Sequence, residues 1–332
     1  MSLRRLAATL LVAAVAAPAF AADEVVVYSE RKEPLIQPIF AEYEKLTGTK
    51  VRYFNDAAPV LIERLAAEGA NTQADLFMAV DAGSLWQAAE RGVLAKVDSE
   101  ALSKNVPANL RDPGGTWFGL SQRARTIVRS TERVNPDALS TYAGLAGPEW
   151  KGKLCLRSAK KVYNQSLVAT MIARDGEAKT EQVVKGWVAN LAAPPFADDT
   201  LLAQAIAAGQ CDVGIINTYY LARLEHDDAN FPVAPFWPDQ VGSGVHVNIS
   251  GAGVTTHAKH RDAAVKLLEW LSSPEAQAKF ANVNLEYPVH PDVKPDQLVA
   301  NWGEFKADPV NVVEAGRRQA EAVKLMDRAG WQ

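Results

Sequence analysis

The sequence predicts an α/β protein whose two lobes flank a cleft. Between residues 24 and 91, short apolar runs alternate with helical patterns, in the β-α-β-α-β order of a parallel sheet with right-handed crossovers. A second α/β region follows from about 130 to 245. Two long strand patterns, near 119–128 and 246–255, separate these regions. If the chain starts one lobe, passes into the other and then returns, it must cross between the lobes twice. Two crossing strands are the organisation of a hinged two-lobe binding protein.

Periodicity justifies the elements of the first lobe. Apolar, β-branched runs indicate strands, and apolar residues at i, i+3 and i+4 indicate helices. The predicted strands are 24–28, 50–54 and 74–79, and the predicted helices are 35–46, 59–68 and 82–91. The pair Gly114-Gly115 turns the chain into the first long strand. Because strand side chains alternate, Arg123 and Arg125 lie on one face of that strand.

The second lobe repeats the same alternation. Its predicted elements are strands at 153–157 and 213–216 and helices at 163–173, 180–191 and 199–208. The strand at 213–216 is followed by Tyr219 and Tyr220 at the opening of another helix. Open α/β sheets bind ligands at the carboxyl ends of strands, so this position favours a binding site. The return segment has predicted helices at 261–271 and 274–280, an extended stretch at 286–289 and a final polar helix at 310–327.

These elements divide the chain into five segments. The division is a signal peptide (1–21), the first part of lobe 1 (22–120), lobe 2 (121–247), a return segment of lobe 1 (248–298) and a C-terminal helical segment packed on lobe 2 (299–332). The signal peptide is indicated by a basic start, an apolar centre from 6 to 17 and an Ala-x-Ala end, with cleavage after Ala21. We therefore expect a periplasmic location.

Composition limits the classes of partner. The chain has 35 Lys and Arg against 39 Asp and Glu, a formal net charge of −4. An acidic chain of this kind does not suggest nucleic acid as a partner. After the signal segment, no stretch is long and apolar enough to predict insertion into a membrane. A single closing cleft needs no second subunit, so a monomer is expected.

The two cysteines, Cys155 and Cys211, leave two interpretations open. In an oxidising compartment an even number of cysteines favours a disulfide. Two free buried thiols are the alternative. The pair Tyr219 and Tyr220 is also open to two interpretations at this point. It belongs to a binding site, or it packs in a core, as adjacent buried tyrosines usually do.

Seven motifs, in order along the mature chain, resemble the bacterial periplasmic ferric-iron-binding proteins, the transferrin-like substrate receptors of iron ABC importers. They are Val27-Tyr28-Ser29, Ala74-Asp75-Leu76-Phe77, Gly119-Leu120-Ser121-Gln122-Arg123-Ala124-Arg125, Tyr163-Asn164-Gln165-Ser166-Leu167-Val168-Ala169, Asn217-Thr218-Tyr219-Tyr220, Asn248-Ile249-Ser250-Gly251-Ala252-Gly253-Val254 and Glu286-Tyr287-Pro288-Val289. The resemblance implies a type II-like periplasmic binding protein fold, with two α/β lobes joined by two crossing hinge strands and a cleft between the lobes.

The resemblance also implies a ligand set for ferric iron. Its phenolate ligands are Tyr163, Tyr219 and Tyr220. A synergistic anion such as carbonate is expected on Arg123, with Arg125 as a second donor.

The loop after the first strand departs from the family pattern. Related proteins commonly carry a His-Tyr pair where this chain has Lys32 and Glu33. Lys32 cannot bind a metal ion unless it loses its proton, whereas Glu33 offers a hard oxygen. Tyr28 lies near the same loop and is a weaker candidate, for which core packing is the favoured interpretation.

Elementary chemistry agrees with this ligand set. Ferric iron is a small, hard cation that prefers anionic oxygen. The function implied is capture of ferric iron and delivery to an inner-membrane ABC permease. Two alternatives stay open, namely a binding protein for a small organic anion held by Arg123 and Arg125, and a sensory ligand-binding protein. No Gly-x-Ser-x-Gly, His-Glu-x-x-His or phosphate-binding loop occurs in the sequence, so no enzyme is predicted.

Overall fold

A computed structural model describes residues 24–332, and the predicted signal segment lies outside the described residues. The strands are β1 (Glu24–Ser29), β2 (Lys50–Asn55), β3 (Leu76–Ala79), β4 (Phe118–Ser130), β5 (Leu154–Cys155), β6 (Val213–Asn217), β7 (Val233–Phe236) and β8 (Val247–Val254). The helices are α1 (Gln37–Thr47), α2 (Ala58–Glu68), α3 (Ala82–Glu90), α4 (Glu100–Asn105), α5 (Val162–Asp175), α6 (Glu177–Ala189), α7 (Asp199–Ala207), α8 (Thr218–Asp227), α9 (Arg261–Leu271), α10 (Pro274–Asn284), α11 (Gln297–Ala300), α12 (Glu314–Arg317) and α13 (Gln319–Arg328).

The strands form a continuous path in the order β2-β1-β3-β8-β4-β6-β5, with β7 also paired to β4. Strand β1 is parallel to both β2 and β3, as the β-α-β-α-β order predicts. Strand β8 is antiparallel to β3 and to β4. The return strand β8 therefore does not extend the parallel order of the first three strands, but lies antiparallel between β3 and β4.

Strand β4 belongs to both lobes. Its residues 118–124 pair with β8, and its residues 125–130 pair with β6 and β7. The second crossing lies between Val245, which packs in the second lobe, and Val247, which packs in the first. The Tyr142 hydroxyl ties the two crossings together, because it donates to the Arg125 carbonyl and accepts from the His246 N–H. The predicted two-lobe α/β fold with crossing strands is confirmed.

The C-terminal segment differs from its prediction. It contacts both lobes, because Val312 and Val313 lie in the core of the first lobe, whereas Leu325 and Met326 lie in the core of the second. The expected single helix is two helices, α12 and α13. Gly316 allows the close approach, since a Cβ at this position would lie 2.4 Å from the Trp86 Cβ in α3. A residue with a side chain would force α12 away from the first lobe.

The disulfide between Cys155 and Cys211 is confirmed, with the two Cα atoms 6.0 Å apart. It joins the end of β5 to the turn that enters β6. Within residues 24–332, no helix has the length and apolar character needed to cross a membrane.

Candidate metal centre

A cavity of about 550 Å³ lies in the cleft. Helices α5, α7 and α8 approach it with their N-terminal ends, and the loops after β1 and β3 face them from the first lobe. The first lobe lines it with Glu30, Arg31, Lys32, Leu35, Val80 and Glu286, and the remaining lining residues are Arg123, Arg157, Lys161, Tyr163, Asp198, Thr200, Leu201, Tyr219, Tyr220 and Arg223. The volume accommodates a small ligand with polar groups at fixed positions.

The three predicted phenolate ligands line this one cavity. Tyr163 is the second residue of α5, and Tyr219 and Tyr220 lie in the first turn of α8. The rings of Tyr219 and Tyr220 have centroids 4.5 Å apart, with their planes inclined at 35°. The hydroxyls of Tyr163 and Tyr219 are hydrogen-bonded to each other. Two helices remote in sequence thus bring three phenols to one place.

The ends of these two helices favour negative charge in the cavity. Neither α5 nor α8 has a side-chain cap on its first N–H groups, whereas Asp198 caps α7 by accepting from the Leu201 N–H at 2.9 Å. Uncapped N–H groups and the helix dipole stabilise anionic oxygen at a helix N-terminus. The two helix ends therefore contribute a field that favours negative charge on the tyrosine oxygens, which burial of the rings opposes.

Without a cation, however, burial keeps the phenols of Tyr163 and Tyr219 protonated. Burial raises the pKa of Tyr163 to about 12, against the opposing effect of Arg123. Burial raises the pKa of Tyr219 well above its usual value, and the neighbouring tyrosines raise it further. Tyr163 and Tyr219 are therefore neutral near pH 7 until a positive charge enters the cavity.

Four cationic side chains surround the phenol rings. The Arg123 Cζ is 5.8 Å from the ring centroids of Tyr163 and Tyr219. The Lys161 Nζ is 4.7 Å from the centroid of the Tyr163 ring, and the Arg223 Cζ is 5.0 Å from that of Tyr219. The Arg157 Cζ is 5.8 Å from the Tyr163 centroid and 6.0 Å from the Tyr220 centroid. Arg157 also donates to the Tyr220 hydroxyl at 3.5 Å. The lining is thus strongly cationic.

Arg123 keeps part of its guanidinium unused. Its Nη2 donates to the Val80 carbonyl and to the Ser250 hydroxyl, both at 2.9 Å. Its Nε and Nη1 have no hydrogen-bond partner among the described residues, although the side chain is only 2% exposed. A buried guanidinium with free N–H groups is ready to bind an anion.

Glu286 balances part of this charge. Its carboxylate lies 2.5 Å from Arg31 Nη2 and 3.9 Å from Arg123 Nη2. Burial by itself raises the pKa of Glu286, but the two guanidinium groups outweigh burial and hold the pKa below its usual value. Glu286 is therefore ionised and already paired, which leaves it little capacity to bind a metal ion.

A family model for bacterial extracellular solute-binding proteins matches residues 39–307. The chain belongs to this family. Iron uptake protein A1 of Synechocystis sp. is 42% identical over 316 residues, an alignment that covers 93% of this chain and 88% of the relative. Iron uptake protein A2 of the same organism is 46% identical over 292 residues, which covers 85% of this chain and 84% of the relative.

A solved structure of Trichodesmium FutA (IdiA), in complex with iron and citrate ligands, shares the fold closely. The TM-score is 0.89 at 45% sequence identity, with 93% of this chain and 100% of that chain covered. The two-lobe architecture of this solute-binding protein therefore extends over essentially the whole described chain.

Three other predicted site residues of the solute-binding protein do not line the cavity. The Tyr28 ring is fully buried, and its hydroxyl donates to the Glu68 carboxylate at 3.0 Å. Glu33 begins a 3-10 turn and accepts from the Tyr53 hydroxyl, so its carboxylate faces β2 and not the cleft. Arg125 is buried beneath the cavity in an ion pair with Asp199.

Sequence reasoning also left out several residues of the cavity. Glu30 is the most informative of them, because it precedes the Lys32-Glu33 pair by only two residues and lines the cavity that Glu33 does not. Its carboxylate accepts from the Val80 N–H at 3.1 Å, and its charge raises the pKa of Tyr163 across the cleft. Arg157, Lys161 and Arg223 were also missed, although the first two come shortly before the start of α5.

Proposed function

We propose that this chain is a periplasmic solute-binding protein that captures ferric iron with the phenolates of Tyr163, Tyr219 and Tyr220. The observation that carries the proposal is the presence of these three phenols in one cleft cavity. Three phenolates balance the charge of Fe(III) and discriminate against Mg²⁺ and Ca²⁺, which carry less charge. The named iron uptake proteins, at more than 40% identity, support the same cargo.

A synergistic anion completes the proposed complex. Six basic and three acidic side chains line the cavity. Fe(III) with three phenolates is neutral, so the excess of basic residues stays unbalanced unless a further anion enters. The free Nε and Nη1 of Arg123 provide the donors for carbonate or another small carboxylate. Arg125 takes no part in holding this anion.

A carboxylate of the first lobe also faces the metal in this proposal. Glu30 takes the role that the sequence assigned to Glu33, because Glu30 lines the cavity opposite Tyr163. A carboxylate oxygen suits Fe(III) as phenolate does. Metal contacts from both lobes favour the closed state, since the ion binds that state more tightly. An inner-membrane ABC permease then receives the closed, loaded protein.

Visible absorption titration tests this function. Metal-stripped mature protein is titrated with ferric iron, with and without bicarbonate, alongside Tyr219→Phe and Tyr220→Phe. We expect a tyrosinate-to-iron charge-transfer band that saturates at one equivalent and is weaker in both variants. Dependence on bicarbonate, and its loss in Arg123→Gln, tests the anion. If no band forms and the iron precipitates, the iron proposal fails and an organic anion held by Arg123 becomes the better candidate.

A further inference from the structure

Arg125 lies at the centre of a hydrogen-bond hub beneath the cavity. Its guanidinium has five N–H groups, and five acceptors surround it. Nε donates to Asn164 Oδ1 at 2.9 Å, Nη1 donates to Asp199 Oδ2 and Asn217 Oδ1 at 3.0 Å, and Nη2 donates to Asp199 Oδ1 at 3.4 Å and to the Ile215 carbonyl at 3.2 Å. The side chain is 1% exposed. All five donors are thus committed inside the protein.

Four of these five acceptors lie at the starts of the three helices that point at the cavity, and the fifth, the Ile215 carbonyl, lies in β6. Asn164 is in the first turn of α5, Asp199 begins α7, and Asn217 immediately precedes α8. Asp199 Oδ2 also accepts from the Asn217 N–H at 3.0 Å, which joins two of the helix starts to each other. One guanidinium therefore fixes the relative positions of α5, α7 and α8.

Two of the acceptor residues, Asn164 and Asn217, lead on to the tyrosines. Asn217 Nδ2 donates to the Tyr219 hydroxyl at 3.2 Å. Asn164 is adjacent to Tyr163, and its Nδ2 donates to the Arg157 and Ser158 carbonyls at 2.9 Å. Arg157 in turn donates to the Tyr220 hydroxyl. Arg125 thus reaches the positions of all three phenols through one or two intervening residues.

We propose that Arg125 is a positioning residue that holds the three tyrosines in the geometry of one metal ion before the ion arrives. The proposal rests on the proposed function, since it concerns the same phenols. Preorganisation of this kind sets how well the ligands fit the ion, because mutation of a group that orients a metal ligand typically lowers metal affinity by about 10- to 100-fold.

The substitution Arg125→Lys tests this role. Lysine keeps the positive charge but has three donors on a single nitrogen and cannot satisfy five acceptors in a planar fork. We expect the Fe(III) affinity to fall about 10- to 100-fold. We also expect the charge-transfer band at saturating iron to shift and broaden. The band is a property of the bound site, so a change in it is not explained by lower fold stability alone.

Arg174→Lys is the matched control. Like Arg125, Arg174 is an arginine of lobe 2 held by carboxylates, because it forms ion pairs with Asp175 and Asp308. It lies at the opposite end of α5 from Tyr163. We expect this variant to keep the wild-type band and affinity even if it unfolds at lower temperature. A wild-type band and affinity in folded Arg125→Lys overturns the proposal.

A second variant decides the question if Arg125→Lys does not fold. Asn217→Ala removes the link to Tyr219 and leaves four of the five Arg125 hydrogen bonds in place. A shifted band and weaker binding support the positioning role, and an unchanged band and affinity overturn it. Absence of any band in the wild-type protein would instead overturn the proposed function, and this inference with it.

Discussion

At the scale of single residues, the tyrosines combine two opposing electrostatic effects. Burial raises the pKa of Tyr163 and Tyr219, whereas the nearby guanidinium of Arg123 lowers both. The net result is a set of neutral phenols that ionise only when a highly charged cation displaces their protons. Proton release is therefore part of iron binding in the proposed function.

This release makes the affinity for Fe(III) depend on pH, with a predictable sign. Each phenol that must lose a proton weakens binding up to about tenfold per unit of falling pH. Tyr219→Phe has one such phenol fewer. We therefore expect the ratio of wild-type to variant affinity to shrink by up to about tenfold per pH unit between pH 7.5 and 5.5.

Competition against a chelator measures the two affinities at each pH. Because both proteins meet the same iron species, the ratio cancels the hydrolysis of the ion. A ratio that does not change with pH contradicts binding through the Tyr219 phenolate.

The two arginines of β4 show what the sequence allows one to predict at this scale. Strand alternation correctly places Arg123 and Arg125 on one face. Their different surroundings arise because β4 leaves β8 and joins β6 between them, at Ala124 and Arg125. What covers each side chain comes from α5, α7 and α8, which are far away in sequence. The alternation along a strand therefore predicts which face of the strand a side chain lies on, but not which residues it contacts.

At the scale of elements, the disulfide holds together parts of the site that are distant in the chain. Cys155 lies two residues before Arg157, and Cys211 lies two residues before the start of β6, which leads to Tyr219. Apolar periodicity predicts the strands that lead to the site, although it missed β7, and the expected compartment favours the cysteine pairing without deciding it. The turn at Glu33–Leu35 does not follow, since its direction depends on Tyr53 in the neighbouring strand.

Removal of the disulfide in Cys155→Ser with Cys211→Ser is expected to lower the free energy of unfolding. The cysteines are 56 residues apart, and a closed loop of that length corresponds to about 4 kcal/mol in the chain-entropy model. Urea denaturation of the metal-free variant and wild type measures the difference. A change below about 1 kcal/mol contradicts the expectation that the crosslink constrains the unfolded chain.

At the scale of the whole molecule, the lobes are joined by more than two strands. Besides β4 and the crossing near Val245, the C-terminal segment packs α12 against α3 of the first lobe and α5 of the second. Asp81 at the start of α3 accepts hydrogen bonds from Ser166 of α5 and from Asn248 of β8. Any movement of the lobes is therefore expected to be a hinge about these links.

Iron is expected to drive that closure through Glu30. Glu30 belongs to the first lobe and the three phenols to the second, so an ion that contacts both holds the lobes together. In Glu30→Gln the phenols remain, and we expect the charge-transfer band to form while closure is lost. Small-angle X-ray scattering measures the radius of gyration before and after iron addition. We expect it to decrease in the wild type and to change little or not at all in Glu30→Gln.

Glu33→Gln is the control, because Glu33 faces β2, and it is expected to close as the wild type does. If iron closes Glu30→Gln as much as it closes the wild type, the prediction is wrong. The phenols and the anion then close the cleft without a carboxylate from the first lobe.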